Sequence, residues 1–340
     1  MMLVNRLISC SIACVLLLVM WVMYGWNSWN GDRDAYEMYF SRELLFSWGL
    51  EIGYGYLNLL AKDFNLDYQA FQILLSFFTL LLFCRYLLKT SVSPVFSLLV
   101  FGMVFFPIDY VLMRNFLSFV IILQGIIELL KGTFQGRLFF VLLVLLATTF
   151  HQSAIVFLIF YFVPVNGFFS LRKFFIFFSV IVLIYIPFRT SVALPSAIQS
   201  HFDMYAVTLQ SAVYKIIVHV FFSLIAIFIA RMHCLSIADN KYPNYLVKMS
   251  FFIFNMNLVS FFFVFLYFEA EIFIRVLRYV IFFNVFYCLN IVFFPKVNHL
   301  FVSAYVFLCV CFLFFYFIYP VMDLSLFPLF NRNIIFNSVV

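Results

Sequence analysis

The chain has 340 residues, of which 67% are hydrophobic and 10% are charged, with a mean hydropathy of +1.13. Soluble domains carry about 25% charged residues, so this composition excludes an ordinary soluble domain and indicates a polytopic membrane protein. The net charge of +6 comes from basic residues scattered in pairs between apolar runs, which is typical of cytoplasmic anchors and not of a nucleic-acid-binding surface.

Helices placed between the polar breaks give about eleven membrane spans in a single integral membrane domain, residues 1–340. They are predicted near residues 7–25, 70–88, 94–112, 115–130, 138–150, 153–165, 174–188, 214–230, 249–268, 276–294 and 300–319. The first run lacks a small-x-small cleavage site, so we interpret it as an uncleaved helix.

The outer loop at residues 27–69 holds half of the acidic residues, interleaved with tyrosines and Trp48. Carboxylates accept hydrogen bonds from sugar hydroxyls and aromatic rings stack on sugar faces, so this composition suits carbohydrate binding. A solvated loop with an interfacial aromatic belt is the simpler alternative. A second outer loop, residues 189–214, is a candidate lid.

His151 interrupts an apolar stretch at residues 138–165, and an ionisable residue at such a depth marks a functional site by default. If this stretch were one span, the basic residues after it would lie outside, against the positive-inside rule. We therefore predict two short helices that turn back at His151. Each arm would be roughly 20 Å long in a hydrocarbon core of about 30 Å, so the turn needs an outward-facing, water-filled cavity.

Cationic and acidic residues also lie at apolar boundaries. Asp109 and Arg114 flank a short outer turn, and Arg275 and Arg278 are three residues apart on one helical face. Guanidinium groups bind phosphate oxygens in a bidentate manner, so converging arginines would form a pyrophosphate site. Snorkelling or salt-bridged arginines that hold helices together are the alternative.

Several short motifs, taken in chain order, resemble a known family. They are Gly31-Asp32-Arg33-Asp34-x-Tyr36, Glu51-x-Gly53-Tyr54, Leu57-Asn58, Asp109 with Arg114, Phe150-His151-Gln152-Ser153-Ala154 and Arg275-x-x-Arg278-Tyr279. From the first outer loop to about residue 280 the chain is similar to the EpsG-type, Wzy-like polymerases of bacterial surface polysaccharides, such as O-antigen (lipopolysaccharide) or capsule. The resemblance implies an all-α architecture akin to GT-C glycosyltransferases.

By this resemblance we expect a glycosyltransferase of the bacterial inner membrane, with its active site toward the periplasm and with no metal or cofactor. The donor would be the growing glycan on undecaprenyl pyrophosphate. The acceptor would be a new lipid-linked repeat-unit oligosaccharide, which reacts at its non-reducing end. Membrane lipid and a chain-length regulator are the other implied partners.

The hypothesised roles divide the motif residues into three groups. The catalytic group is His151 as the general base, Glu51 as the reserve base and Arg114 as a stabiliser of developing charge. The pyrophosphate-binding group is Arg114, Arg275 and Arg278. The sugar-binding group is Asp32, Asp34, Tyr36, Tyr54 and Asp109.

Three other functions stay open on the sequence alone. A polysaccharide ligase would use the same donor with a different acceptor. A flippase for lipid-linked oligosaccharides would have an occluded cationic lumen and matching halves. A membrane acyltransferase would also use an intramembrane histidine, but with catalytic groups that are reachable from the cytoplasm.

Overall fold

The computed structural model describes residues 2–42, 44–46, 48–170, 208–236, 244–269, 273–294 and 297–337, together with residues 172, 174–176, 178, 179 and 183. The described residues form helices and loops, with one isolated β-bridge between Asn27 and Asn333. They fall into two compact units, Met1–Tyr161 with Val310–Val340, and Phe162–Cys309.

The helices of the described residues are, in chain order, α1 (Met2–Gly25), α2 (Arg33–Ser41), α3 (Ile52–Asp63), α4 (Tyr68–Thr90), α5 (Pro94–Val104), α6 (Phe106–Asp109), α7 (Met113–Leu129), α8 (Phe134–Phe150), α9 (Leu209–Ser236), α10 (Asn244–Ser260), α11 (Phe263–Leu266), α12 (Ile274–Ile291), α13 (His299–Leu313), α14 (Leu326–Asn331) and α15 (Ile334–Asn337). A 3₁₀ segment, Gln152–Phe162, follows α8. A π segment, Phe314–Ile318, and a 3₁₀ turn, Tyr319–Val321, follow α13.

Four helical segments are long and apolar enough to cross a membrane: Tyr68–Thr90, Leu209–Ser236, Ile274–Ile291 and His299–Val321. Shorter apolar helices cover Ser11–Gly25, Pro94–Val104, Phe134–Phe150 and Gln152–Phe162. The all-helical membrane character expected from the composition is therefore confirmed, while the number of spans and the GT-C-like arrangement stay predictions.

Three sequence-based boundaries need correction. The predicted span 94–112 is broken at Phe105, because the ring of Pro107 cannot continue the helix that ends at Val104. The predicted outer loop 27–69 contains two helices, α2 and α3. Helix α9 begins at Leu209, five residues before the predicted span 214–230 and inside the predicted loop 189–214. The rest of that loop and most of the span predicted at 174–188 lie outside the described residues.

Helices α7 and α8 pack against each other as an antiparallel pair. Gly125 permits a close approach, because an added Cβ would lie 3.0 Å from the Phe140 ring. The Ser118 hydroxyl donates to the carbonyl of Ala147 at 3.0 Å, which ties the two helices together near their other ends. The pairing brings the start of α7 and the end of α8 to the same end of the unit.

The chain turns back at His151, as the charge distribution predicted. Helix α8 ends at Phe150, and His151 has an extended backbone with φ −154°. Arg137 near the start of α8 donates to the carbonyl of Tyr161 and lies over its ring, with 5.7 Å between the guanidinium and the ring centroid. One continuous helix would hold these residues about 36 Å apart, so the segment after His151 runs back beside α8.

The C-terminal tail is hydrogen-bonded to the junction between α1 and the segment that follows it. The Asn27 amide donates to the carbonyl of Pro328 at 2.9 Å, and the Asn333 amide donates to the carbonyl of Val22 at 2.9 Å. The Tyr110 hydroxyl donates to another tail carbonyl at 2.5 Å. These bonds give α2 and α3 a fixed starting point.

Candidate active site

A buried carboxylate is the centre of the candidate site. Glu51 immediately precedes α3, follows a turn at Gly49 with φ +63°, and is 5% exposed. The helix can approach its neighbours closely because Gly53 and Gly55 have no side chain. An added Cβ would overlap Thr149 of α8 at Gly53, and the carbonyl of Leu45 at Gly55. The glycines of the Glu-x-Gly-Tyr-Gly segment therefore bring the carboxylate against the end of α8.

Three partners occupy the oxygens of Glu51. Oε1 lies 2.8 Å from Nδ1 of His151 and accepts from the backbone N–H of Gln152 at 3.1 Å. Oε2 forms an ion pair with Nη1 of Arg114. Burial alone would raise the pKa of the Glu51 carboxyl, but the His151 hydrogen bond, the Arg114 charge and the Gln152 N–H outweigh it and lower that pKa. The carboxylate is therefore ionised near neutral pH.

The imidazole of His151 points one nitrogen at this carboxylate. An ionised carboxylate only accepts hydrogen bonds, so Nδ1 carries the hydrogen. The other ring nitrogen, Nε2, is buried and has no hydrogen-bond partner among the described residues. Because the backbone leaves helical geometry at His151, its side chain is released from the face of α8 toward Glu51.

Arg114, near the start of α7, is the third residue of the cluster with Glu51 and His151. Its guanidinium lies 3.6 Å from the ring centroid of Trp48 and 5.6 Å from that of Tyr36, so both rings contribute cation–π contacts. The backbone N–H of Arg114 donates to the Tyr36 hydroxyl at 3.3 Å. Burial raises the pKa of Tyr36 despite the nearby arginine, so its phenol stays neutral. Tyr36 was predicted to bind sugar, whereas no individual role was predicted for Trp48.

An aromatic layer surrounds the ion pair. Trp48 lies 5.2 Å from Tyr36, 4.3 Å from Tyr39 and 5.8 Å from Tyr54, measured between ring centroids. Trp48 and Tyr36 contact the Arg114 guanidinium, so apolar rings cover this side of the ion pair. These rings lie close to one another in the structure, while carbohydrate binding by this segment stays a prediction.

The other predicted site residues occupy different surroundings. Asp34 is exposed on α2, and Asp32 is partly exposed at the residue before that helix. Asp109 is buried at the end of α6. Arg275 and Arg278 lie in the second unit, on α12, where Arg278 is 1% exposed and donates to the Tyr279 hydroxyl at 3.2 Å.

Arg33 belongs to the motif Gly31-Asp32-Arg33-Asp34-x-Tyr36, but no role was predicted for it. Its Nε donates to Glu37 at 2.7 Å, its Nη2 to Gln69 at 3.0 Å and its Nη1 to Gln72 at 3.3 Å. It also lies over the ring of Tyr68, 5.0 Å from the centroid. Through these hydrogen bonds Arg33 links α2 to α4 and so positions the aromatic layer. Because Arg33 lies among acidic residues in a predicted loop, nothing in the sequence indicated that it would be buried.

In the second unit, His219 is a buried residue of the packed core. Both ring nitrogens are bonded, Nδ1 to the Tyr267 hydroxyl at 2.5 Å and Nε2 to the Ser260 hydroxyl at 2.8 Å. Asn257 and Asn284 exchange a pair of amide hydrogen bonds at 2.7 and 2.9 Å. These contacts join α9, α10 and α12 through satisfied polar groups.

The fold and this cluster define a class: a helical membrane protein with a carboxylate, imidazole and guanidinium gathered where a helical hairpin turns back. Comparison with family models identifies the particular family. The EpsG family model matches residues 11–331, nearly the whole chain, so the chain belongs to the EpsG family. The resemblance inferred from the short motifs is thus confirmed, and the chain is a membrane protein of polysaccharide biosynthesis. No curated protein and no solved structure matches it.

Proposed function

We propose that this chain is a polymerase of a bacterial surface polysaccharide that elongates glycans on undecaprenyl pyrophosphate. The observation that carries the proposal is the Glu51–His151 pair, in which Nδ1 is held by the carboxylate and Nε2 is left without a partner among the described residues. Family membership supports a glycosyltransferase-like polymerase as the enzyme class.

In the proposed reaction, Nε2 of His151 accepts the proton of the acceptor hydroxyl. The hydroxyl belongs to the non-reducing-end sugar of a new lipid-linked repeat unit. Its oxygen forms a bond to the anomeric carbon of the donor glycan while the bond from that carbon to the pyrophosphate oxygen breaks, and the electron pair leaves with undecaprenyl pyrophosphate. A histidine side chain changes charge near neutral pH, which suits this proton transfer.

Glu51 acts in this scheme through His151. Its two oxygens already accept from three donors, so it orients the imidazole and stabilises the imidazolium that forms. This geometry favours His151 over Glu51 as the base. Arg114 neutralises the buried carboxylate, and its remaining N–H groups are proposed to meet the pyrophosphate.

We also propose, as the motif resemblance implied, that Arg275 and Arg278 bind phosphate oxygens of the lipid-linked substrate. A guanidinium as deeply buried as that of Arg278 is a functional feature by default in a membrane helix, and i, i+3 spacing places Arg275 on the same face of α12. Stabilisation of developing charge by fixed polar groups usually lowers the reaction barrier more than any other single effect. We propose that the reaction takes place at the periplasmic face of the inner membrane, with Asp32, Asp34, Tyr36, Tyr54 and Asp109 contacting sugar.

A deletion strain complemented with single variants tests the proposal. His151→Ala and Arg278→Ala should express normally but leave single repeat units in place of the long glycan ladder. His299→Ala and Arg332→Ala are matched controls, because both residues are exposed, and should give normal ladders. A normal ladder from His151→Ala would contradict its role as the base. Accumulation of unattached polymer would identify a ligase, and retention of repeat units on the cytoplasmic side would identify a flippase.

A further inference from the structure

A second polar feature extends along α3 from Glu51. Tyr54 and Asn58 are one helical turn apart, at i and i+4, so they share the face that begins with Glu51. Both are buried, at 1% and 5% exposure, although each carries a polar group. The indole of Trp48 lies beside this face, 5.8 Å from the Tyr54 ring.

The polar atoms of these three residues have no hydrogen-bond partner among the described residues. They are the Tyr54 hydroxyl, the Trp48 Nε1 and both the oxygen and the nitrogen of the Asn58 amide. Buried polar groups in folded proteins are nearly always paired, because a group that leaves water unpaired loses free energy. A bound ligand or an ordered water molecule would account for such atoms beside the proposed active site.

We propose that Trp48, Tyr54 and Asn58 form a binding subsite for one sugar ring of the lipid-linked substrate, with Asn58 as its specificity-determining residue. The inference rests on the proposed function, since the neighbouring His151 is where the sugar hydroxyl would react. An amide that offers one donor group and one acceptor fits a ligand group that both accepts and donates, either a pair of hydroxyls or an acetamido group.

The orientation of Trp48 restricts how it contacts this sugar. Its ring lies 3.6 Å from the Arg114 guanidinium carbon, so one ring face is already covered. The Nε1–H at the ring edge is the group left to donate to a sugar oxygen. Trp48 therefore acts as a hydrogen-bond donor here, and the usual stacking of a sugar on an indole face is not its main contribution.

The variant Asn58→Leu separates a binding role from a structural one. Leucine has a similar size but no polar atoms, so it removes the unpaired amide from a buried position. If Asn58 serves a ligand, the ligand-free protein should melt at the same temperature or higher after this change. If the amide is instead held by structural partners, the melting temperature should fall.

The closing experiment uses the full chain, purified in detergent. The probe is the oligosaccharide released by mild acid from the strain's own lipid-linked repeat units, and binding is measured by calorimetry and by saccharide-dependent melting. We expect wild type to bind and Asn58→Leu to bind about ten- to hundred-fold more weakly. Asn65→Gly is the matched control, because Asn65 is exposed just after α3 and its φ of +54° suits glycine.

Each outcome decides the inference. Equal affinity of Asn58→Leu and wild type, or a lowered melting temperature in Asn58→Leu, would overturn it. Methyl glucoside and methyl N-acetylglucosaminide, compared as probes, distinguish recognition of hydroxyls from recognition of an acetamido group. Saccharide binding that depends on Asn58 in a protein whose His151→Ala variant still makes long ladders would support the subsite and refute the proposed base separately.

Discussion

The ion pair between Glu51 and Arg114 gives a quantitative prediction. The side chains are 6% and 21% exposed, so removing one charge leaves the other poorly solvated. Breaking a buried pair in this way costs about 3–5 kcal/mol, and the residual exposure of Arg114 favours the lower end, about 3 kcal/mol. We therefore expect Glu51→Gln and Arg114→Gln each to destabilise the protein by about this amount, whereas the double variant should cost clearly less than the sum.

The difference between the double variant and the sum of the single variants is the coupling energy, which we expect to be about 2–3 kcal/mol. The assay is thermal unfolding of purified variants in detergent. At ordinary unfolding entropies per residue, 3 kcal/mol corresponds to roughly 4 °C for a chain of this length. The matched control is Glu37→Gln, which removes the exposed partner of another ion pair, the one with Arg33. Because Arg33 keeps its acceptors on Gln69 and Gln72, this change should cost under about 1 kcal/mol.

Two results would refute this reasoning. One is a Glu51→Gln variant that melts no lower than the Glu37→Gln control. The other is a double variant whose loss equals the sum of the two single losses, because independent residues add. Either result would mean that the carboxylate and the guanidinium are solvated separately.

Three further predictions concern the support of the site. Gly55→Ala should cost about 1–3 kcal/mol in unfolding free energy, because the new Cβ would overlap the carbonyl of Leu45, and a wild-type melting temperature would contradict that close approach. The lowered pKa of Glu51 contributes stability that is full above the ordinary value of 4.5 and is lost as the pH falls through the folded value. The difference in melting temperature between wild type and Glu51→Gln should thus shrink below about pH 4.5, and a constant difference would argue against ionisation. Arg33→Met keeps the apolar stem but removes the donors to Gln72 and its neighbours, so thermal unfolding should show a loss of about 2–4 kcal/mol; a loss near zero would show that α2 is held by other contacts.

The sequence predicted the features that depend on the order of charged and apolar residues along the chain. The turn at His151 was predicted because the apolar stretch had to be split to keep basic residues on one side. The structure has the same turn, with the helix ending at Phe150. The antiparallel arrangement of α7 and α8 follows from the short connection between them, and it is enough to bring Arg114 toward His151.

The pairing of Glu51 with His151 could not be predicted in the same way. The two residues are 100 positions apart, and composition did not distinguish Glu51 from the other acidic residues of segment 27–69, seven in all. What selects Glu51 is the pair of following glycines, which let α3 approach α8 and Leu45. The Glu-x-Gly spacing is visible in the sequence. Its effect depends on which backbone packs against these glycines, and the sequence does not show that.

The contacts of the tail after Pro320 could not be predicted from the sequence either. Its contacts with the end of α1 are hydrogen bonds to backbone carbonyls, such as that from Asn27 to Pro328, and such bonds place little demand on residue type. A pattern of hydrophobic or charged residues cannot encode them. The buried position of Arg33 was hidden for a related reason, because its partners are amides on a distant helix.

The charges of the cluster explain why three residues, and not two, meet at this end of the hairpin. The His151 hydrogen bond and the Arg114 charge together lower the pKa of the buried Glu51 carboxyl, so it stays ionised despite its burial. When the proposed reaction delivers a proton to Nε2, the same carboxylate already lies 2.8 Å from Nδ1 and stabilises the new imidazolium without reorganisation. The pair would therefore serve the resting and the reacting state with one fixed geometry.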